Sequence, residues 1–563
     1  MHRFRKRERL EMLSELSAPR RYDGEFAYEL SEVPIDAAIG GRRQHAATLS
    51  TSPGRCSSAV HAPRRTPPIG TRERFRARNS SRFMHPDPDV WDACCGTVSL
   101  RTMNTIWWVR RDMRLHDNAA LHAASRAGAP VPVFVLDEQV LQSRYHRNAK
   151  RRIEFMTDGL SALDAELRAL GSRLIIREGR VDDVLSAVAA EVQAVEVFAA
   201  GDVTPFGRLQ EAQVGRRVAL RLFTGIGIRP NGAVSKPDGS GYSVFGAFRR
   251  AWLSTPLPDP IASPTQLPAV PDGILGIDVV AAPLRGFPAG ETEALRRLDE
   301  FTFKRIDGYS EERDRPDLDG TSALSPYLKF GMLSPRMAAA RTMARGSDEE
   351  RSGASRWLDE LLWREFYMDV VYRQPAVLSE EFNPRLRGIQ WVNAADDIEA
   401  WKEGRTGYPF VDAGMRQLLH TGWMHNRARM VTASFLVKNL LCDWRIGEQW
   451  FMDQLLDGDL PSNNGGWQWV AGTGTDAAPY FRVFNPVVQG HRFDPTGEYV
   501  RRWVPELATV SGRDIHEPWK LSAESRAGYP PPIVDIAESR QRLLAAYAEA
   551  RSRNAVVQRA SAP

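Results

Sequence analysis

The chain has 563 residues, of which 42% are hydrophobic and 26% are charged, and its mean hydropathy is −0.39. This balance predicts a soluble protein of more than one domain and excludes an integral membrane protein, because no uncharged apolar run is long enough to span a bilayer. The net charge is +5, but residues 1–102 alone contribute +6, so we expect any nucleic-acid surface on the remainder to be a local patch.

The four cysteines do not have metal-binding spacing. Cys56, Cys94, Cys95 and Cys442 contain no C-x-x-C pair, so we expect neither a zinc ribbon nor another metal site. Scattered thiols are typical of a reducing compartment, and acidic residues interrupt the first twenty positions where a secretory signal would lie. The sequence therefore predicts a cytoplasmic protein.

Residues 1–102 are rich in Arg, Pro and Ser and show little sustained periodicity. We expect this stretch to be a disordered extension, or an upstream translation of a chain whose natural start is Met103. A basic arm that binds DNA is the functional alternative.

Strand-like and helix-like segments alternate from Thr105 onward. This alternation predicts an α/β domain with a parallel sheet over residues 103–229. No G-x-G-x-x-G follows the first strand, which disfavours a standard dinucleotide-binding fold. The predicted strands are 106–109, 131–137, 172–179 and 194–200, and the predicted helices are 118–128, 151–171 and 182–192.

The second half has a different pattern. Residues 230–288 are rich in Pro, Gly and Ser and predict an interdomain linker. Apolar residues then recur with helical periodicity, which predicts a larger all-α domain over 289–535, followed by a C-terminal helix and tail over 536–563. Its clearest predicted helices are 290–301, 334–344, 355–372 and 414–441.

Several positions in this helical half have the chemistry of a binding site. Thr321, Ser322 and Ser325 offer hydroxyls and backbone N–H groups where a loop should lead into a helix, a combination that suits an anion. Further along, the spacing of Trp357, Glu360 and Arg364 places them on one helix face, and Asn426 and Met430 are likewise spaced i, i+4. Each pattern also fits ordinary helix capping, an amphipathic core helix or a solvated basic face.

The stretch 457–486, DGDLPSNNGGWQWVAGTGTDAAPYFRVFNP, is the most informative. Asp457, Asp459 and Asn463 shortly precede Trp467 and Trp469. Carboxylate, amide and indole groups together suit a site that hydrogen-bonds one heteroaromatic ring and stacks on another. A buried core turn is the alternative, but so many polar groups would then need partners.

Together these segments resemble the photolyase/cryptochrome family, and among its branches the bacterial class I cyclobutane pyrimidine dimer photolyases. The resemblance extends from about Ile106 to Asp535. Its motifs are WWVRRDMRLHDNAAL, TGYPFVDAGMRQL, TGWMHNRARM, DWRIGE, DGDLPSNNGGWQW and GTGTDAAPYFRVFNP.

The resemblance implies a U-shaped FAD buried in the helical domain. Asp459 is expected to accept a hydrogen bond from the flavin N3–H, and Asn463 is expected to face flavin N5. The full set of implied FAD-binding residues is Tyr309, Thr321, Ser322, Ala323, Leu324, Ser325, Trp357, Arg364, Arg429, Asp457, Gly458, Asp459 and Asn463.

The resemblance also implies an electron relay of Trp467, Trp444 and Trp391, because closely spaced indoles divide one long transfer into short hops. Damaged DNA would contact a second set of residues, with the pyrimidine dimer flipped out of the stack. This set is Arg313, Glu360, Trp363, Asn426, Arg427, Met430, Trp469 and Gln489.

The implied activity is light-driven repair, in which excited reduced FAD donates an electron that splits the dimer and then returns. Glu360 would stabilise the charge on the dimer after the transfer. A second, light-harvesting chromophore is expected in the α/β domain, either 8-hydroxydeazaflavin, which is slightly favoured, or methenyltetrahydrofolate. Arg111 and nearby loops are the expected contacts for either one. We expect a monomer with no membrane partner.

Two other functions stay open at this point. A cryptochrome-type blue-light receptor would use the same fold without repairing DNA. A (6-4) photolyase typically has a His where this chain has Asn426.

Overall fold

The computed structural model describes residues 103–560 apart from 279–280, 282, 285 and 347–351. The expectations for residues 1–102 therefore lie outside the described residues.

A five-stranded parallel sheet forms the first part of the described chain, with strand order 3-2-1-4-5. Parallel strands need crossover connections, and here helices supply them. The strands are β1 (Asn104–Val109), β2 (Ala129–Leu136), β3 (Ile175–Glu178), β4 (Val197–Ala200) and β5 (Leu220–Phe223). The helices are α1 (Ala119–Ala127), α2 (Glu138–Leu141), α3 (Lys150–Ala169), α4 (Val181–Val192) and α5 (Pro205–Gly215).

The sheet confirms the predicted α/β class. β1 and β4 are apolar and buried because helices cover both faces of a parallel sheet. The sequence did not predict β5 or α5. β5 lies at the sheet edge, and its four residues include the exposed Leu222, so it lacks the apolar run that identified the inner strands.

The predicted linker contains one helix, α6 (Phe245–Leu253). Phe245, Phe248 and Trp252 are all buried, and their spacing places them on one face of this helix. The Pro and Gly residues around α6 concealed this short amphipathic pattern.

Helices make up most of the remainder, in agreement with the predicted all-α half. They are α7 (Glu291–Glu300), α8 (Tyr309–Glu312), α9 (Ser325–Phe330), α10 (Pro335–Met343), α11 (Gly353–Arg373), α12 (Ala395–Glu403), α13 (Pro409–Thr421), α14 (Asn426–Ser434), α15 (Trp444–Gln454), α16 (Leu460–Ala471), α17 (Pro486–Phe493), α18 (Glu498–Trp503) and α19 (Ile536–Ala560). Short π-helical turns occupy Phe301–Arg305 and Phe435–Asn439. Short 3-10 turns occupy Ile306–Gly308, Pro375–Leu378, Pro384–Leu386, Pro505–Leu507, Gly512–His516 and Pro518–Lys520.

The single helix predicted over 414–441 is wrong. The chain leaves α13 at Gly422, which has a φ of 72° and caps the helix in the left-handed conformation. It re-enters helix at His425, whose Nδ1 accepts a hydrogen bond from the Arg427 backbone N–H. Apolar periodicity continues across this break, so periodicity alone did not reveal it.

Two large hydrophobic clusters hold the described chain together. One joins the sheet and α3 to α11, and includes Trp107, Phe155 and Trp357. The other lies within the helical half and includes Trp444 and Trp467. Across the residues described, no helix combines the length and apolarity needed to cross a bilayer.

Candidate active site

The segment that contains Asn463, Trp467 and Trp469 forms the helix α16. Pro461 lies in its first turn and Gly472, with a φ of 80°, ends it. Helical spacing separates the two indoles: Trp467 is buried, with 2% exposure, whereas Trp469 is half-buried. The core-turn alternative is therefore wrong.

The amide of Asn463 is fixed by the neighbouring helix α15. Its Nδ2 donates to the Glu448 carbonyl oxygen at 2.9 Å, and the next amide, Asn464 Nδ2, donates to Glu448 Oε1 at 3.1 Å. This bond uses one N–H of Asn463 and fixes the amide, which leaves its carbonyl oxygen and its second N–H for a ligand.

Asp457 is an ion-paired carboxylate with one unused oxygen. Its Oδ2 accepts from Arg429 Nη2 at 2.8 Å, and the side chain is 2% exposed. Its Oδ1 is buried and has no hydrogen-bond partner among the described residues. A buried unpaired acceptor is costly, so this atom fits a ligand N–H.

Asp459 is engaged by cations that reach it from two directions. Arg111, at the carboxyl end of β1, donates to its Oδ1, and Lys329 Nζ lies 3.8 Å from the same atom. Ser462 Oγ donates to Oδ2 at 3.2 Å. Burial by itself would raise the pKa of Asp459, but Arg111 and Lys329 outweigh it and lower the pKa, so the group is ionised.

The loop before α9 contains the hydroxyl residues expected on the phosphate side. Ser322 Oγ accepts from Trp357 Nε1 at 3.2 Å, which joins this loop to α11. Ala323 has a φ of 49°, a left-handed conformation that is strained for a residue with a Cβ. Arg364 donates to the Leu328 carbonyl at 3.3 Å, so a second residue of α11 holds α9.

The other residues expected at the cofactor lie nearby in the chain fold. Tyr309 is buried against Phe301. Thr321 and Leu324 belong to the loop before α9, and the exposed Ser325 is the first residue of that helix. A Cβ at Gly458 would stand 2.2 Å from Arg152 Nη1, so a side chain here would displace that buried guanidinium.

The three expected relay indoles belong to one hydrophobic cluster. Trp467 and Trp444 are buried within it, and the partly exposed Trp391 packs against it. Trp444 Nε1 donates to Glu381 Oε1 at 3.3 Å. The order from buried to partly exposed is the one a relay toward solvent needs. The sequence did not identify Trp401, whose ring lies 6.2 Å from that of Trp467.

Two ion pairs bring the expected DNA-contacting residues of three segments together. Arg313 Nη2 lies 2.6 Å from Glu360 Oε1, and the adjacent Asp314 lies 2.7 Å from Arg427 Nη2. Residues 313 and 314 therefore connect α11 to the start of α14. On α14, Asn426 Nδ2 contacts Met430 Sδ at 3.8 Å, as their i, i+4 spacing predicted.

A cavity of about 420 Å³ opens beside this arrangement. Two of its residues have buried polar atoms with no partner among the described residues, Arg427 Nε and Gln489 Oε1. Arginines dominate the wall, so the cavity suits an anion. The lining residues are Asp314, Arg427, Arg482, Phe484, Gln489, Arg492 and Phe493.

The two indoles expected at a flipped-out base lie on different walls. Trp363 packs against the first cluster and stacks on Phe245, with ring centroids 3.9 Å apart and planes 8° apart. Trp469 packs against the second cluster. Both are partly exposed, and the helices that hold them, α11 and α16, pack on each other.

Sequence reasoning missed several buried charged residues. Glu448 and Lys329 both contact the candidate site, and burial, followed by repulsion from Arg111, lowers the pKa of Lys329 to about 7. Lone charged residues in a helix normally face solvent, so the sequence carried no signal for them. Within the described residues, no group of three His, Cys, Asp or Glu side chains is arranged to hold a metal ion.

The geometry agrees with two family models. Residues 105–269 match the model described as DNA photolyase, and residues 357–549 match the FAD binding domain of DNA photolyase. A deoxyribodipyrimidine photo-lyase of Escherichia coli is 41% identical over 465 residues, which cover 79% of this chain and 98% of that protein.

Two solved structures are similar over most of their length. A bacterial class III photolyase from Agrobacterium tumefaciens has a TM-score of 0.74 at 35% identity, over 81% of this chain and 99% of that chain. A cryptochrome of Synechocystis has a TM-score of 0.72 at 30% identity, over 78% of this chain and 98% of that chain. Fold similarity alone therefore does not separate a photolyase from a cryptochrome.

Proposed function

Because this chain belongs to the DNA photolyase family, we propose that it is a deoxyribodipyrimidine photo-lyase, a carbon–carbon lyase that uses light to split cyclobutane pyrimidine dimers in DNA. FAD is its cofactor, and when bound it supplies the photoexcited electron that opens the cyclobutane ring. The residues of the chain bind, orient and shield the reactants.

The site residues fit FAD. The unpaired Asp457 Oδ1 offers an acceptor for a flavin N–H, whereas Asp459 is engaged by Arg111 and Ser462. We therefore propose Asp457 as an acceptor for the flavin N3–H, alongside Asp459, which was the residue expected there. The free carbonyl oxygen of Asn463 can accept a hydrogen bond from a protonated flavin N5. An amide offers this contact without carrying an acidic proton of its own.

Glu360 and its partner Arg313 would hold the dimer. Burial raises the pKa of Glu360, and Arg313 opposes this rise. Together the carboxyl and its guanidinium partner are placed to hydrogen-bond a dimer carbonyl, where negative charge develops after electron transfer. Asn426 and Met430 would complete this side, while Trp363 and Trp469 would pack against the flipped-out bases.

Phosphates of the damaged strand would bind at the arginine-lined cavity. Arg427 and Gln489, which line this cavity, have buried polar atoms without partners among the described residues. Asp314 also lines the cavity, and Arg313 precedes it in the chain. Backbone contacts of this kind position the strand without reading its sequence. They also provide the local positive patch that the net charge of the chain conceals.

One observation carries this proposal. Asn463 and Trp467 lie four residues apart on α16. The Asn463 amide is fixed by its bond to Glu448, and Trp467 is buried. A helix that presents an amide oxygen and an oxidisable indole together fits a flavin that must be reduced and kept reduced.

The test is repair of dimer-containing single- and double-stranded DNA by reduced enzyme under blue light. We expect intact thymines to be restored in both substrates. Bound FAD without restoration would contradict the repair function and favour a cryptochrome-type receptor. Restoration of (6-4) lesions instead would indicate the other photolyase branch.

A second chromophore is expected to act as an antenna, and its identity is a proposal. The carboxyl ends of β1 and β4 meet where the strand order reverses, the usual ligand position in such sheets. Arg110 and Glu211 lie 2.5 Å apart there. We propose 8-hydroxydeazaflavin over methenyltetrahydrofolate, and the absorption spectrum of the purified protein distinguishes them. We further propose that the protein is cytoplasmic and monomeric. A sedimentation measurement would check the oligomeric state.

A further inference from the structure

Glu448 is a buried acid that contacts both asparagines of α16. The residue is 2% exposed. Its carbonyl oxygen accepts from Asn463 Nδ2 at 2.9 Å, and its carboxyl Oε1 accepts from Asn464 Nδ2 at 3.1 Å. A single residue of α15 therefore holds the amide expected at flavin N5 and places a carboxyl one residue away from it.

The preceding residue, Gly447, touches the electron relay. A Cβ at Gly447 would stand 2.0 Å from Trp467 Cη2, so the backbone of α15 lies directly on this indole. Two consecutive residues of one helix thus contact the innermost indole of the relay and the amide expected at flavin N5.

We propose that Glu448 supplies the proton that accompanies an electron reaching the flavin through Trp467. This inference rests on the proposed FAD site. The electron comes from an external thiol reductant by way of Trp391, Trp444 and Trp467. The proton leaves the Glu448 carboxyl for the flavin ring, and the resulting carboxylate regains a proton from solvent, so charge and atoms balance.

The two aspartates expected at the flavin already form ion pairs. Asp457 is paired with Arg429, and Asp459 with Arg111. Within the described residues Glu448 forms no ion pair, so its carboxyl is able to hold a transferable proton.

The surroundings of Glu448 fit a group that both releases and regains a proton. Burial raises its pKa to about 7, and the hydrogen bond from Asn464 opposes the rise, as do the charges of Arg144 and Arg445, while Asp443 adds to it. Tyr145 faces the same group, and its own pKa is raised by burial and by Glu448.

A route to solvent lies on the side away from α16. Arg144 is exposed, and its carbonyl oxygen accepts from Gln449 Nε2 at 2.5 Å, next to Glu448. Reprotonation from this surface needs no passage through the flavin pocket.

Glu448→Gln in the full-length, FAD-loaded protein is the principal test. The amide keeps the size of the side chain and an oxygen for Asn464, but it carries no transferable proton. Illumination with a thiol is followed by absorption, which separates arrival of the electron from protonation of the flavin. We expect wild type to protonate with a pH midpoint near 7. We expect Glu448→Gln to receive the electron at the wild-type rate but to protonate ~10²-fold more slowly, a typical contribution of a positioned acid.

Asp453→Asn is the matched control. Asp453 is on the same helix and accepts from Gln449 and Asn148, but it contacts neither asparagine of α16. Its protonation kinetics should equal those of wild type. A second variant, Asn464→Ala, removes the hydrogen bond that favours the carboxylate, so its pH midpoint should move above that of wild type.

Unchanged protonation in Glu448→Gln, or a midpoint in Asn464→Ala that does not move, would overturn the inference. Dimer repair by chemically reduced enzyme is assayed in parallel, because it bypasses the relay. Normal repair with unchanged protonation would leave the proposed function intact and reject Glu448 alone. A wild-type protein that binds no FAD would overturn both.

Discussion

The backbone of Gly447 lies in van der Waals contact with the indole of Trp467, and no side chain fits between them. A Cβ at position 447 would stand 2.0 Å from Cη2 and 2.4 Å from Cζ3 of that ring. The requirement for glycine here comes from space, since the position lies inside the regular helix α15. The helix and Trp467, the innermost indole of the proposed relay, are therefore fixed against each other.

Gly447→Ala should displace Trp467 and cost about 1–3 kcal/mol of stability, as overpacking of a core usually does. We expect slower photoreduction of the flavin and nearly normal repair by enzyme that is reduced beforehand. Gly466→Ala is the control, because a Cβ there meets nothing within 4 Å. The control should be stabilised by about 0.5–1 kcal/mol, since alanine favours a helix interior. Equal destabilisation of both variants in urea unfolding would contradict the packing argument.

Trp391→Phe should impair photoreduction of oxidised flavin and leave repair by pre-reduced enzyme unchanged. The residue packs at the edge of the cluster that holds Trp444 and Trp467, where the relay would meet solvent. Absorption during illumination measures the first effect, and thymine restoration the second. A parallel loss of both activities would refute the relay assignment.

Asp457→Asn should release FAD. The change removes the carboxylate that pairs with Arg429. It also replaces a carboxylate oxygen that can accept from the flavin N–H with an amide, whose NH2 end cannot accept. The loss should cost about 1–3 kcal/mol, because Arg429 loses its carboxylate but is 24% exposed and can still reach water. The measurement is flavin content after purification together with the unfolding midpoint. Retention of stoichiometric FAD would argue against Asp457 as its ligand.

Arg427→Gln and Asp314→Asn should change DNA binding in opposite directions. Arg427 would lose a phosphate contact, which lowers the slope of log K against log salt by about 0.9. Asp314→Asn removes the carboxylate that competes for the same guanidinium, so its affinity should rise. Titrations of dimer-containing duplex at several salt concentrations check both. The control is Arg180→Gln in the α/β part, which should bind DNA as wild type does. If all three variants changed DNA affinity in the same direction and by the same amount, the local phosphate site would be wrong.

Glu448 should also make stability depend on pH. Its pKa is raised by burial from 4.5 to about 7, so the folded state binds more protons than the unfolded state between these values. Stability is therefore lost as pH rises through this window, by up to about 3 kcal/mol. The difference in unfolding free energy between Glu448→Gln and wild type should grow from pH 4.5 to 7 and then level off. A flat difference would show that Glu448 stays ionised in the fold.

Sequence patterns predicted the sheet, the helical half and the helix faces around Trp357 and Asn426, because each depends on local periodicity or spacing. They did not predict which buried charges meet. The contact between Arg111 and Asp459 joins residues 348 positions apart, and no local pattern encodes it. The break at Gly422 was missed for the opposite reason, since apolar spacing continues through it.

The bond between Arg111 and Asp459 has a consequence for how the enzyme matures. One partner, Arg111, follows the first strand that the structure describes, and the other lies in the last third of the chain. The carboxylate beside the expected flavin therefore obtains its strongest counter-charge only when the sheet and the helices are in contact. A helical half made alone would bury Asp459 beside Lys329 without its strongest partner. The charge balance of the expected flavin site is thus complete only in a chain that has folded along its whole described length.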